Sequence, residues 1–244
     1  MTKLKIATIS YLNSIPFVYG LENSNLNMDL TLDIPSVCAQ KLLDGKVDLA
    51  LVPVAVLPKL KQYHLVGDSC IGSFGKVETV CLFSDVALDQ IDTILLDYQS
   101  RTSVELVKVL CKHFWKINPT FINAKAGYEN EISSNVAGLI IGDRAYQYTE
   151  KYKYVFDLSE QWQLFTALPF VFACWVSNKK LDLEIEKEFS EALQFGLSNL
   201  DKALEQLKDK FDTSIDKKQY LTEVISYKLD EDKEKAMKLF LQYL

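Results

Sequence analysis

Leu168-Pro169-Phe170-Val171-Phe172-Ala173-Cys174-Trp175-Val176 is one of two long β-prone runs in this chain, and Val77-Glu78-Thr79-Val80-Cys81-Leu82-Phe83 is the other. The stretch between them reads as an α/β unit of its own. Residues 94–96, 121–123, 136–141 and 154–157 are strand candidates, and Val107, Leu110, Cys111 and Phe114 recur at helical spacing. Strands and helices also alternate before the first run. Residues 4–9, 30–34 and 47–54 read as strands, and Pro35-Ser36 opens a helix with Ser36 as its expected N-cap. After the second run the pattern is helical, with Ile185, Phe189, Leu193, Leu197, Leu200 and Leu204 three or four apart. Asp230 is expected to cap a last helix. A chain that leaves one lobe, builds another and returns explains this order. It predicts one lobe from residues 1–83 and 174–244 and an inserted lobe from residues 84–173, with the two β runs as a hinge. A single doubly wound domain is the alternative that periodicity leaves open.

One polar arrangement occurs three times. An apolar strand-like run ends in a short cluster of Asn, Ser, Thr, Gly or Asp, and a helix-like segment follows. The clusters are Ser10, Asn13, Ser14 and Pro16; then Ser100, Arg101, Thr102 and Ser103; then Gly142, Asp143 and Arg144. In α/β proteins such junctions lie at the carboxyl ends of strands, where ligands bind. Helix starts there present unpaired N–H groups and a positive dipole end, which suits an anion.

Composition narrows the classes. The chain has 244 residues, 48% hydrophobic and 25% charged, as in an ordinary globular protein. It contains no apolar run of membrane-spanning length, and its first residues lack the pattern of a signal peptide. A cytoplasmic protein with no membrane partner is expected. The formal net charge of −6 disfavours nucleic acid as a partner. An anionic ligand must then be held by local donors against the overall field. Five scattered cysteines, Cys38, Cys70, Cys81, Cys111 and Cys174, and two distant histidines, His64 and His113, have neither disulfide nor zinc spacing. No phosphate-binding glycine loop is present, so no cofactor is expected.

Five segments in order resemble one family. They are Tyr11-Leu12-Asn13-Ser14-Ile15-Pro16; Gly72-Ser73-Phe74-Gly75-Lys76-Val77-Glu78-Thr79-Val80; Leu96-Asp97 with Ser100, Thr102 and Ser103; Ile141-Gly142-Asp143; and Trp162 with Thr166-Ala167-Leu168-Pro169-Phe170-Val171-Phe172-Ala173. Together they resemble chorismate dehydratases, which open the futalosine route to menaquinone. The resemblance spans residues 5–178. It implies the two-lobed type II periplasmic-binding-protein-like α/β fold, with a ligand cleft between the lobes, used as a lyase. The implied reaction converts chorismate, a small dianion, to 3-[(1-carboxyvinyl)oxy]benzoate and water without metal or cofactor. Two alternatives stand beside it: 1,4-dihydroxy-6-naphthoate synthase of the same pathway, and a non-catalytic small-anion binding protein. Ala167 departs from the family's pattern, where Gly is expected.

Asn13 and Ser73 are the expected catalytic groups. Asn13 either donates its amide to the substrate or merely caps a helix. Ser14, Gly72, Ser100, Thr102, Ser103 and Gly142 are the expected substrate contacts. Thr102 with Glu105 also has the form of a capping box, which makes Ser103 the better contact. Lys76 and Arg101 are the cations expected nearest the site, with ordinary surface charge as the other reading. Asp143 either accepts a substrate proton or caps the helix after Gly142. No side chain stands out as general base, and substrate assistance by a chorismate carboxylate is the expectation.

Overall fold

The computed structural model describes residues 3–208 and 215–244. Two sheets carry the fold. The first contains β1 (Leu4–Ile9), β2 (Met28–Asp33), β3 (Leu49–Pro53) and β4 (His64–Ser73), in which β1 pairs in parallel with β2 and β3. The second contains β5 (Val80–Ser84), β6 (Thr93–Leu96), β7 (Thr120–Asn123), β8 (Val136–Ile141) and β9 (Tyr154–Asp157). The chain then returns through β10 (Phe170–Ser177) and ends its strands with β11 (Ser226–Lys228). The first sheet runs β11-β4-β10-β3-β1-β2 and the second β7-β6-β8-β5-β9. In each sheet, the first strand after a crossing, β10 or β5, is inserted antiparallel beside a parallel trio.

Helices cover the sheets. These are α1 (Ile15–Glu22), α2 (Pro35–Leu43), α3 (Thr102–Val109), α4 (Leu158–Thr166), α5 (Leu183–Ser198), α6 (Leu200–Leu207), the short α7 (Lys217–Gln219) and α8 (Glu231–Gln242). Two features fix the first helix, and with it the Asn13 turn. Pro16 lies in its first turn, where a missing N–H costs nothing. Its backbone then meets that of α5 directly. A methyl on Gly20 would sit 2.0 Å from the Ala192 carbonyl oxygen, and one on Gly196 would sit 1.8 Å from that of Pro16. Only glycine permits this approach. All five cysteines are free and buried, behaving as small core hydrophobes. No helix among the described residues is long and apolar enough to cross a membrane.

The two-lobed expectation agrees with the two sheets, but the crossing points differ from the expected ones. The 77–83 run was expected in the first lobe, yet β5 pairs with β8 and β9 of the second sheet. Residues 170–173 were expected in the second, yet they pair with β3 and β4 of the first. The chain crosses instead at residues 74–79 and at residues 158–169, so the crossings are a loop and a helix with its exit turn. Alternation of apolar residues shows that a segment is a strand; it does not show which sheet receives it. Asp157 ties the two crossings together. One carboxylate oxygen caps α4 through Ser159 N (3.0 Å) and Glu160 N (3.2 Å), and the other accepts Val77 N (2.9 Å) and Glu78 N (2.6 Å). Burial pushes its pKa up and these four N–H groups pull it down, with burial the larger effect.

Local capping differs from expectation at Ser36 and agrees with it at Asp230. Ser36 lies inside α2, whose N-cap is Ile34. Asp230 does cap α8, accepting Lys233 N at 3.0 Å.

Candidate functional site

A cleft lies where the sheets face each other. From the first lobe it is lined by Ile9, Tyr11 and Asn13 after β1, Pro35 after β2, Pro53 at the end of β3, Ile71 on β4, and Phe172 and Ala173 on β10. The crossing loop adds Val77 and Thr79. The second lobe adds Val80, then Ser100, Thr102 and Ser103 at the start of α3, then Ile141 and Gly142 at the end of β8. All three polar junctions of the sequence therefore meet here. The cavity is about 50 Å³, room for only a few waters at roughly 10–15 Å³ each.

The lobes are held close by hydrogen bonds across the cleft. Thr102 Oγ1 donates to the Phe172 carbonyl (2.9 Å) and accepts Ala55 N (3.3 Å). Its hydroxyl is thus occupied between lobes, and the expected capping box is absent. Ser100 Oγ instead accepts Ser103 N at 3.0 Å. Asp143 Oδ2 accepts Leu12 N at 2.9 Å, while Oδ1 is buried without a hydrogen-bond partner. Burial pushes this carboxyl up to about 6, against the opposing pull of the Leu12 N–H and Lys217. Gly142 has φ +76°, and a methyl there would lie 2.9 Å from the Tyr11 ring. Glycine lets that ring close over the end of β8. The Tyr11 hydroxyl donates to Gln99, whose amide donates to Tyr98 Oη at 2.8 Å.

Several expected site residues do not line the cleft. Ser73 and Ser14 are fully buried. Ser73 shares a hydrogen bond with Ser159 at the hinge (2.6 Å), and Ser14 donates to Asn13 Oδ1 at 3.4 Å. Gly72 is the last residue but one of β4, packed against the Phe170 carbonyl and the Lys233 side chain. Lys76 points to solvent and approaches Glu160 at 3.9 Å. Arg101 is exposed and, among the described residues, reaches the Ser100 carbonyl at 3.4 Å. Asp143 neither caps the following turn, whose N-cap is Gly142, nor lines the cleft. Of the aromatics, Tyr11 and Phe172 line the cleft, Phe17, Phe170 and Trp175 are core, and Phe74 is 63% exposed.

Arg144 is also committed elsewhere. It donates to Asp97 at 2.6 Å and to Glu129, and its guanidinium lies over the Tyr98 and Tyr128 rings. Asp97 further accepts Tyr128 Oη (3.1 Å), Ile141 N (2.9 Å) and Gln99 N (2.9 Å). This buried network fixes the carboxyl ends of β6 and β8. Consequently no charged side chain is among the described cleft-lining residues. What the cleft offers an anion is the start of α3, the hydroxyls of Ser100 and Ser103, and the Asn13 amide. That donor set is neutral and preorganised, so it costs no buried charge when empty.

Asn13 is half-buried in a 3₁₀ turn, Leu12–Ser14, and is not the N-cap of α1. Its carbonyl accepts Tyr227 Oη at 3.1 Å. Tyr220, fully buried, shares a 2.7 Å hydrogen bond with Thr79 and adjoins the Asn13 side chain. Thr79 stands in one of the resembling segments, so its signal was available. Tyr220 lies in a turn 207 residues along the chain from Asn13 (220 − 13) and carries no local motif.

A family model described as menaquinone biosynthesis matches residues 4–244. The chain belongs to the menaquinone biosynthesis family. It is 30% identical to a chorismate dehydratase from Thermus thermophilus over 165 residues, an alignment spanning 60% of each protein and so less than two thirds of that relative. Solved structures share the architecture. A protein from Archaeoglobus fulgidus superposes with a TM-score of 0.78 at 17% identity, covering 99% of this chain and 96% of the other. The Candida albicans CA3427 gene product, described as exhibiting the generic periplasmic binding protein structural fold, gives 0.67 at 15% identity, covering 98% and 90%. At such identities the likeness shows the fold alone. The family member described here therefore has a two-lobed periplasmic-binding-protein-like fold, and Asn13 with its turn borders the cleft.

Proposed function

We propose that this protein dehydrates chorismate to 3-[(1-carboxyvinyl)oxy]benzoate in menaquinone biosynthesis. The observation that carries the reading is a closed interlobe cleft lined by neutral donors, in a chain of this family similar to a chorismate dehydratase. With the lobes parted to admit it, chorismate would place one carboxylate at the start of α3, where Ser100, Ser103 and the first N–H groups converge. Asn13 and Thr79 would face the ring substituents.

The reaction removes the proton from the ring carbon that bears the enolpyruvyl ether and the hydroxyl from the adjacent carbon. The ring becomes aromatic, so the thermodynamic drive resides in the substrate. The protein's task is to hold the substrate in one conformation and donate hydrogen bonds to the departing hydroxyl. Among the described residues no lining side chain is an ordinary base, which favours a substrate carboxylate as proton acceptor. A pH–rate profile governed by an enzyme group of near-neutral pKa, and unchanged in Asp143→Asn, would overturn that step.

The deciding experiment incubates purified protein with chorismate and follows loss of water by mass spectrometry. Conversion to the aromatic product is expected. Chorismate bound and recovered unchanged would make this chain a binding protein instead.

A further inference from the structure

We infer that Tyr220 is a positioning residue for Asn13, which makes the C-terminal segment a working part of the site. The inference rests on the proposed dehydratase reading for its kinetic consequence, though not for its geometry.

Tyr220 follows α7 in a turn, 220–224, and is 2% exposed. It does not line the cleft, but the two residues next to its hydroxyl do. One is Thr79, whose Oγ1 lies 2.7 Å from Tyr220 Oη. The other is Asn13, whose side chain lies beside the same oxygen. Thr79 belongs to the crossing loop and Asn13 to the first lobe. A single phenol therefore sits behind both cleft-lining groups and sets their spacing.

Two further contacts fit this role. Tyr227, from the same C-terminal segment, donates to the Asn13 carbonyl at 3.1 Å, so side chain and backbone of Asn13 are both addressed from that side. Tyr227 also packs edge-on against Phe17 of α1, with ring centroids 5.3 Å apart. The phenol has one proton and two acceptor positions. Thr79 Oγ1 donates to the Val77 carbonyl at 3.3 Å and Asn13 Oδ1 accepts Ser14 Oγ at 3.4 Å, so the phenol gives its proton to Thr79 and its oxygen accepts the Asn13 amide, which keeps the Asn13 carbonyl oxygen away from Tyr220. An amide free to flip would present donor and acceptor to the substrate in turn, and only one arrangement matches a leaving hydroxyl or a carboxylate.

Tyr220→Phe in the full chain tests this, with two readouts. The first is the side-chain NH2 resonance of Asn13 in asparagine-15N protein, assigned by its disappearance in Asn13→Asp. It should move in Tyr220→Phe, and an unmoved resonance overturns the inference whatever the reaction is. The second is the kinetic split with chorismate. A fall of at least about tenfold in kcat, with KM changed less than about threefold and unfolding still cooperative, is expected for lost transition-state alignment. Unchanged kcat with a moved resonance also overturns the inference. If Tyr220→Phe does not fold, the wild-type protein decides: a nuclear Overhauser effect between the Asn13 side-chain NH2 protons and the Tyr220 ring is expected, and its absence overturns the inference. Wild-type protein that leaves chorismate unchanged overturns the dehydratase reading alone, and the Asn13 resonance then decides the positioning.

Discussion

The carboxylate of Asp143, carried by one lobe, accepts the backbone N–H of Leu12, carried by the other, at 2.9 Å. Leu12 directly precedes Asn13, so this bond couples lobe closure to the cleft-facing turn. Its second oxygen is buried and unpartnered, which is why burial outweighs the hydrogen bond and raises the carboxyl to about 6.

That shift fixes a pH dependence. Between the ordinary carboxylate value of 3.8 and about 6, the folded chain holds a proton that the unfolded chain has released. This contribution to stability is therefore present at low pH and lost as pH rises through 6. Asp143→Asn keeps the acceptor for Leu12 N but lacks the titration. Relative to that variant, the wild type should lose about 2 kcal/mol between about pH 4.5 and about pH 7.5. Urea unfolding of both proteins at the two pH values measures it, and a pH-independent difference would refute the assignment.

Asn13→Asp separates chemistry from capping. Asn13 is not the N-cap of α1, so a carboxylate there gains no capping role. It would remove a donor and oppose an anionic substrate in a partly dry cleft. Cooperative unfolding within a few degrees of wild type is expected. Chorismate turnover should fall at least about a hundredfold, equivalent to about 2.7 kcal/mol. Steady-state kinetics beside thermal denaturation check both halves, and wild-type kinetics would remove Asn13 from the site.

Thr102→Val tests the bridge between lobes. The substitution keeps the shape but leaves Ala55 N and the Phe172 carbonyl without their partner. A loss of about 2 kcal/mol is expected, with Thr102→Ser close to wild type. Because the bridge favours closure, small-angle scattering of Thr102→Val should give a larger radius of gyration. Equal radii would mean that other contacts hold the cleft shut.

Ala167→Gly should stabilise the protein. Ala167 ends α4 with φ +60° and ψ +15°, the left-handed conformation that glycine adopts without a Cβ penalty. A gain of about 1 kcal/mol is expected from relief of that strain. An unchanged or lower melting temperature would show that Ala167 has a compensating contact.

Read residue by residue, the sequence determined the strands and the three polar junctions. Leu4–Ile9, Val136–Ile141 and Tyr154–Asp157 form strands with the boundaries expected from their patterns, because apolar periodicity and turn residues act over a few neighbours. The convergence of Asn13, Thr102, Ser103 and Gly142 in one cleft was legible for the same reason: junctions at the carboxyl ends of parallel strands share one edge of the fold. Tertiary structure alone decided the partners. Ser73 turns to Ser159, Arg144 to Asp97 and Glu129, and Lys76 to Glu160 at the surface. Each choice depends on a side chain from another element, and no local propensity encodes which one arrives. The same holds for β5 and β10, whose runs fit either sheet until the parallel trios are in place. Tyr220 is the extreme case: a lone tyrosine on a C-terminal turn acquires meaning only when the returning chain sets its hydroxyl between Thr79 and Asn13.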